Sequence, residues 1–160
     1  MIEEKMITQT LEKPTETKQV LGHLVNGTIV NYDNSCLDVF NPAYGTISKR
    51  VEVGGRSAVE AVISASVNAL PSWSQTPPIK RARVMFKFKE LLEKNTDKIC
   101  RLIGEEHGKI LHDAKGELQR GIENVEFACA APELLKGEHN KNVGASIDCW
   151  SEFSPVGIVA

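Results

Sequence analysis

Aromatic side chains are scarce in this sequence, 6% of 160 residues, and they are not interleaved with basic ones. That argues against a stacking platform for nucleobases. An excess of one charge is missing as well. Nineteen basic and 21 acidic residues leave a net charge of −2, which offers nucleic acid and anionic membranes no electrostatic grip. No apolar run approaches the roughly 18 residues that span a bilayer. Residues 1–20 lack the apolar core of a secretory signal. They carry Glu3, Glu4, Glu12 and Glu16, unlike an acid-poor mitochondrial presequence, and read as a mobile, solvated tail. Cysteine occurs at 36, 100, 129 and 149, never as C-x-x-C and never at ligand spacing from a histidine. Reduced thiols in a cytoplasmic protein are expected. G-x-G-x-x-G, the P-loop and H-E-x-x-H are all absent.

What is present describes one globular domain of ordinary size, 41% hydrophobic and 25% charged. Folding is expected to start near Leu21. His23-Leu-Val and Thr28-Ile-Val flank Asn26-Gly27, the signature of a type I′ hairpin. A strand at Leu37–Phe40, a turn at Asn41–Gly45 and a strand at Thr46–Val53 follow. Ile47, Val51 and Val53 share one parity and are expected to form its buried face. Gly54-Gly55 precedes Ser57-Ala-Val-Glu60, which has capping-box spacing. Glycines before a capped helix suit an anion site, and they suit a plain strand-to-helix turn equally. That helix is expected to stop at Leu70, before Pro71, with Trp73 in the connector.

A second helix is predicted over Pro78–Lys94. Val84, Met85, Phe88, Leu91 and Leu92 lie on one stripe that reads as core. Asn95 or Thr96 can cap a third helix running to Glu105, with Gly108 as its stop. The longest helical pattern covers Ile110–Ala131, where Pro132 kinks or ends it, and a last turn spans Glu133–Lys136. Gly116 and Gly121 lie inside that helix and bracket Arg120. Each costs about 1 kcal/mol relative to Ala, so either a backbone or ligand comes close or the helix breaks there. Arg120 is spaced i, i+3 from both Glu117 and Glu123, which gives it a purely structural reading as well. Residues 138–145 read as a polar loop and Ser146–Phe153 as a strand. Pro155–Ala160 reads as the opening of a buried strand with no loop or cap after it, so a longer chain is expected.

Neither the histidines nor the cysteines gather into a site. His107 and His112 fall on different helix faces, and His23 and His139 stand alone. Cys100 and Cys129 fall within predicted helices among apolar neighbours, where a thiol has no base to ionise it.

Several stretches together resemble the N-terminal part of an aldehyde dehydrogenase. They are Asn41-Pro42 with the following strand, Ala69 to Trp73, Arg81-Ala-Arg83, and Phe86 with Leu91-Leu92. Glu105-Glu-His-Gly-Lys109, Asp113-Ala114, Gly116-Glu117 and Pro155-Val-Gly-Ile-Val159 complete the set. The resemblance runs from Leu21 to Ala160. Within the family, Arg120-Gly-Ile-Glu-Asn-Val-Glu-Phe-Ala128 is most similar to the coenzyme A-acylating methylmalonate-semialdehyde dehydrogenase branch.

The resemblance implies an α/β fold, an N-terminal fragment of a larger Rossmann-type enzyme. Residues 21–142 would belong to the cofactor-binding domain, 143–154 to an oligomerisation strand, and 155–160 to the next cofactor-domain strand, cut short. It implies an NAD-dependent, homo-oligomeric enzyme that oxidises and decarboxylates methylmalonate or malonate semialdehyde to an acyl-CoA through a cysteine thioester. By the same resemblance, Arg120 would hold the substrate carboxylate, for which a guanidinium fork is suited. The family's oxyanion asparagine, phosphate-binding helix, general-base glutamate and nucleophilic cysteine lie beyond these residues. No catalytic, cofactor-binding or metal-binding residue is therefore expected here. An inactive fragment that associates with full-length subunits is the alternative, and another branch of the family is a third.

Overall fold

The computed structural model describes residues 19–32 and 35–159, so the tail expected at 1–20 lies almost entirely outside the described residues. Its last residue, Val20, already belongs to a short strand β1 (Val20–Leu21). Next comes the hairpin of β2 (His23–Val25) and β3 (Thr28–Val30), paired His23 to Val30. Its turn has Asn26 at φ +48° and Gly27 at φ +80°, as a type I′ turn requires.

Strands β4 (Cys36–Asn41) and β5 (Thr46–Glu52) pair antiparallel, and β1 joins β5 in parallel on its other side. Opposite Val39 and Phe40 the register jumps from Lys49 to Ile47, leaving Ser48 as the extra residue of a bulge. That extra residue resets the alternation of β5. Val53 is exposed, and the buried side chain at this end is Glu52, 3% exposed, whose carboxylate accepts a hydrogen bond from the Tyr32 backbone N–H. The face expected from Ile47, Val51 and Val53 is not continuous: the bulge puts Ile47 out of phase with the other two, and at this end burial falls on the opposite parity, at Glu52.

Helix α1 (Gly55–Ser74) starts before the expected capping box and runs through Pro71. Ser57 Oγ donates back to Gly54 O at 3.4 Å, and Glu60 pairs with Arg56 at 2.7 Å, so neither side chain caps the other's backbone. Pro71 removes one ladder bond. The turns after it add side-chain bonds from Ser74 Oγ to Pro71 O and from Thr76 Oγ1 to Ser72 O. Trp73 therefore sits on the helix.

Helix α2 (Pro78–Lys94) has the expected bounds, with proline in its first turn. Helix α3 (Thr96–His107) ends on Gly108, left-handed at φ +71°, as read from the sequence. Asn95 and Thr96 do not cap α3. Their side chains donate to Leu91 O and to Glu93 O, closing the carbonyl end of α2 instead. Helix α4 (Leu111–Cys129) is the long helix of the sequence, and α5 (Ala131–Leu134) carries Pro132 in its first turn.

Helices α2, α3 and α4 pack together, and the residues most enclosed among them are small. Ala82 and Cys100 are each 1% exposed and Ala114 is 0% exposed. Small side chains at crossings let helix axes approach closely. This decides which side of α2 faces inward. Ala82, Met85, Lys89 and Leu92 line the inner side, and Lys89 reaches Glu126 of α4 at 3.3 Å and Glu93 at 2.7 Å. Of the stripe expected as core, Val84, Phe88 and Leu91 remain exposed, Phe88 at 47%. Phe88 and Leu91 border an apolar groove of about 310 Å³ with Ile99 and Leu102 of α3.

The stretch expected as a polar loop is a strand. β6 (His139–Gly144) pairs antiparallel with β7 (Ile147–Trp150), His139 opposite Trp150. Its composition contains few strand formers, so only the partner's backbone reveals it. Asn142 and Ser146 take positive φ, +54° and +62°, and the Asn142 N–H donates to Asp148 Oδ1 at 3.0 Å. The residues of β7 are all exposed. Pro155–Val159, expected to open a buried strand, carries no secondary structure here, and Val156 is 94% exposed. A parallel strand needs a neighbour to satisfy its backbone, and none of the described residues provides one.

Candidate functional site

Arg120 lies exposed on α4. A helical side chain of this length leans toward the N-terminal turn. A Cβ built on Gly116 would lie 3.7 Å from Arg120 Nη1, so the guanidinium lies back over the glycine. Asn124 Nδ2 donates to Arg120 O at 2.8 Å, one turn ahead. The two i, i+3 ion pairs that spacing suggested are not formed. Glu117 is paired instead with Lys109, from the α3–α4 connection, and Glu123 accepts from Gln119 Nε2 at 3.4 Å. Among the described residues no carboxylate is within ion-pair distance of the Arg120 guanidinium. It presents a planar donor fork to whatever anion approaches the open side of α4.

The hydrogen bond from Lys109, above all, holds the Glu117 carboxyl below its ordinary 4.5, with smaller electrostatic help from His107 and Arg120 and burial opposing it. A depressed carboxylate contributes stability that is present above the ordinary value and lost as pH falls through the lowered one. In a carboxyl NMR titration, Glu117 is expected to ionise with a midpoint below 4.5 and to return toward it in Lys109→Ala. A wild-type midpoint at or above 4.5 would show that the clip does not form.

The second glycine has no close neighbour. A Cβ on Gly121 would meet nothing within 4 Å, so neither a backbone nor a side chain of these residues requires glycine there. Gly121→Ala is expected to stabilise the chain by about 1 kcal/mol through helix propensity alone. Unchanged or lower stability in a denaturant titration would show that the helix is not regular at this point.

Gly54-Gly55 is a packed turn rather than an anion site. A Cβ on Gly54 would lie 2.4 Å from Ala58 Cβ and 2.5 Å from His23 Nε2, so the space before α1 is filled by the His23 imidazole. This turn therefore does not offer the open glycine-rich cradle that a dinucleotide pyrophosphate needs. No group of His, Cys, Asp and Glu among them is gathered to hold a metal. Cys100 and Cys129 are buried, Cys36 is half-buried and Cys149 is exposed.

The sequence pattern missed the Lys109–Glu117 clip. The two residues are eight apart and lie on either side of a helix start, where no i, i+4 rule applies.

The profile of the aldehyde dehydrogenase family matches residues 29–160. The chain belongs to the aldehyde dehydrogenase family. Malonate-semialdehyde dehydrogenase of Pseudomonas aeruginosa is 53% identical over 140 residues, covering 88% of this chain and 28% of that protein. The fold agrees with that of methylmalonate-semialdehyde dehydrogenase from Oceanimonas doudoroffii, with a TM-score of 0.83 and 63% identity over 86% of this chain and 28% of that one. A Sinorhizobium meliloti protein assigned the same activity, solved in complex with NAD, gives a TM-score of 0.84 at 35% identity, over 88% of this chain and 29% of its own. This aldehyde dehydrogenase chain thus spans 28% of the length of the Pseudomonas relative, and its fold is the N-terminal part of the family's α/β fold.

Proposed function

We propose that these residues form the N-terminal part of an NAD-dependent, coenzyme A-acylating dehydrogenase of malonate or methylmalonate semialdehyde. The observation that carries this reading is the Arg120 guanidinium, unclaimed by any carboxylate of the described residues, in a chain 53% identical to a malonate-semialdehyde dehydrogenase. In the complete enzyme NAD would supply the hydride acceptor. Arg120 binds the substrate carboxylate through two parallel N–H···O bonds and so orients the aldehyde carbon. The nucleophilic cysteine, from outside these residues, would hold the acyl group as a thioester until coenzyme A takes it; the carboxylate leaves as carbon dioxide, and the carbon it leaves takes up a proton.

The buried Cys100 and Cys129, each a thiol inside the helical layer, support a cytoplasmic setting. The β6–β7 hairpin supports homo-oligomerisation, since its exposed Ile147 and Trp150 and unpaired edges suit addition to a second subunit. No helix among the described residues is long and apolar enough to cross a membrane. The exposed Phe88 and Leu91 beside the α2–α3 groove also favour a second reading, a non-catalytic chain that acts by associating with full-length subunits.

The deciding experiment purifies the native polypeptide that contains these residues, measures its intact mass, and assays semialdehyde-dependent NAD reduction with and without coenzyme A. A species several times heavier than 17.6 kDa, with activity that requires coenzyme A, is expected. A free-acid product without coenzyme A would point to another branch of the family. A 17.6 kDa species without activity would favour the associating fragment.

A further inference from the structure

We propose that Lys109 is a positioning residue, which by holding Glu117 keeps the Arg120 guanidinium free to receive a substrate carboxylate. The proposal rests on the carboxylate-binding reading of Arg120 and adds the device that keeps that site open.

Glu117 stands three residues before Arg120 on α4, a spacing at which oppositely charged side chains meet on one face. The guanidinium already leans that way, with Nη1 lying over Gly116. Left alone, Glu117 lies on the side toward which the guanidinium leans, and a substrate carboxylate would have to displace it. The structure shows Glu117 turned to Lys109 instead.

Lys109 is suited to this because it does not belong to α4. It follows the left-handed Gly108, whose N–H bonds Gly104 O at 2.9 Å and whose Cβ position would lie 3.1 Å from Pro42 Cγ. The Lys109 carbonyl lies 3.2 Å from where a Gly104 Cβ would be. The ammonium is therefore presented from a backbone fixed against α3 and the β4–β5 turn. The same ion pair lowers the Glu117 pKa, to which the charge of Arg120 contributes least. Glu123, the other carboxylate within reach by spacing, faces the Gln119 amide.

The test compares KM for the semialdehyde with KM for propanal, which lacks the carboxylate, in the complete enzyme that carries these residues. Lys109→Ala is expected to raise the semialdehyde KM about two- to sixfold, because a surface pair of ordinary strength would then occupy part of the Arg120 population. The propanal KM is expected to move much less. Lys109→Arg should retain the wild-type value, and adding Glu117→Gln to Lys109→Ala should restore it. An unchanged semialdehyde KM in Lys109→Ala, equal rises for both aldehydes, or no rescue by the second substitution would each overturn the proposal. Arg120→Ala separates the two levels. If it too leaves the semialdehyde KM unchanged, the carboxylate reading itself fails. If it acts and Lys109→Ala does not, only the clip is lost.

Discussion

Arg120→Ala in the complete enzyme is expected to raise the semialdehyde KM about 10- to 100-fold, because a hydrogen-bonded charge contact contributes on the order of 1.5–3 kcal/mol. The size depends on Arg120 being unencumbered. A guanidinium already paired within its own helix would exchange one carboxylate for another with little gain. The structure shows Glu117 and Glu123 engaged elsewhere, so the full contact is available to substrate. Arg120→Lys should recover part of the loss, since charge is retained and the planar fork is not. Propanal, with no carboxylate to bind, serves as the internal control. A semialdehyde KM unmoved by Arg120→Ala would end the reading of this arginine as a substrate contact.

The largest stability effect is expected at Ala114. This residue is 0% exposed on α4, the helix that packs on both α2 and α3. Ala114→Leu adds three carbons at a position with no exposed surface, on a helix packed against two others. Helix axes held close by small residues must separate to admit a larger one. Overpacking of this kind costs about 1–3 kcal/mol. In urea the midpoint should fall with an unchanged slope, since the surface exposed on unfolding stays nearly the same. A midpoint equal to that of the unsubstituted chain would mean that the three helices do not meet at Ala114.

The two residues show how differently a site and a core are written in a chain. Arg120 could be singled out from sequence because family-like neighbours surround it, yet local spacing assigned it two ion pairs that it does not make. Which partner a charged side chain takes depends on competition. Lys109 wins Glu117 from outside the helix, where periodicity does not reach. The glycines beside Arg120 raised the question of a close approach. In the structure Gly116 underlies the guanidinium, and Gly121 has open space around it.

Elements specified by near neighbours were legible in the sequence. The Asn26-Gly27 hairpin, α2 from Pro78 to Lys94, and the stop of α3 at Gly108 all follow from φ preferences and helix-end hydrogen bonding within a few residues. The α/β character and the family were legible for the same reason, since they rest on ordered local patterns. Tertiary structure alone decided the rest. Pro71 sits within α1, and His139–Gly144 is a strand because β7 offers its backbone. At the end of β5, burial falls on Glu52 rather than on the apolar Val53. The inner side of α2 was chosen by small residues and Lys89 rather than by its most apolar stripe. Backbone torsions and helix ends are governed by interactions a few residues long, so sequence determines them. Partner choice, register and burial are settled between segments far apart in the chain, where only packing brings the competing groups together.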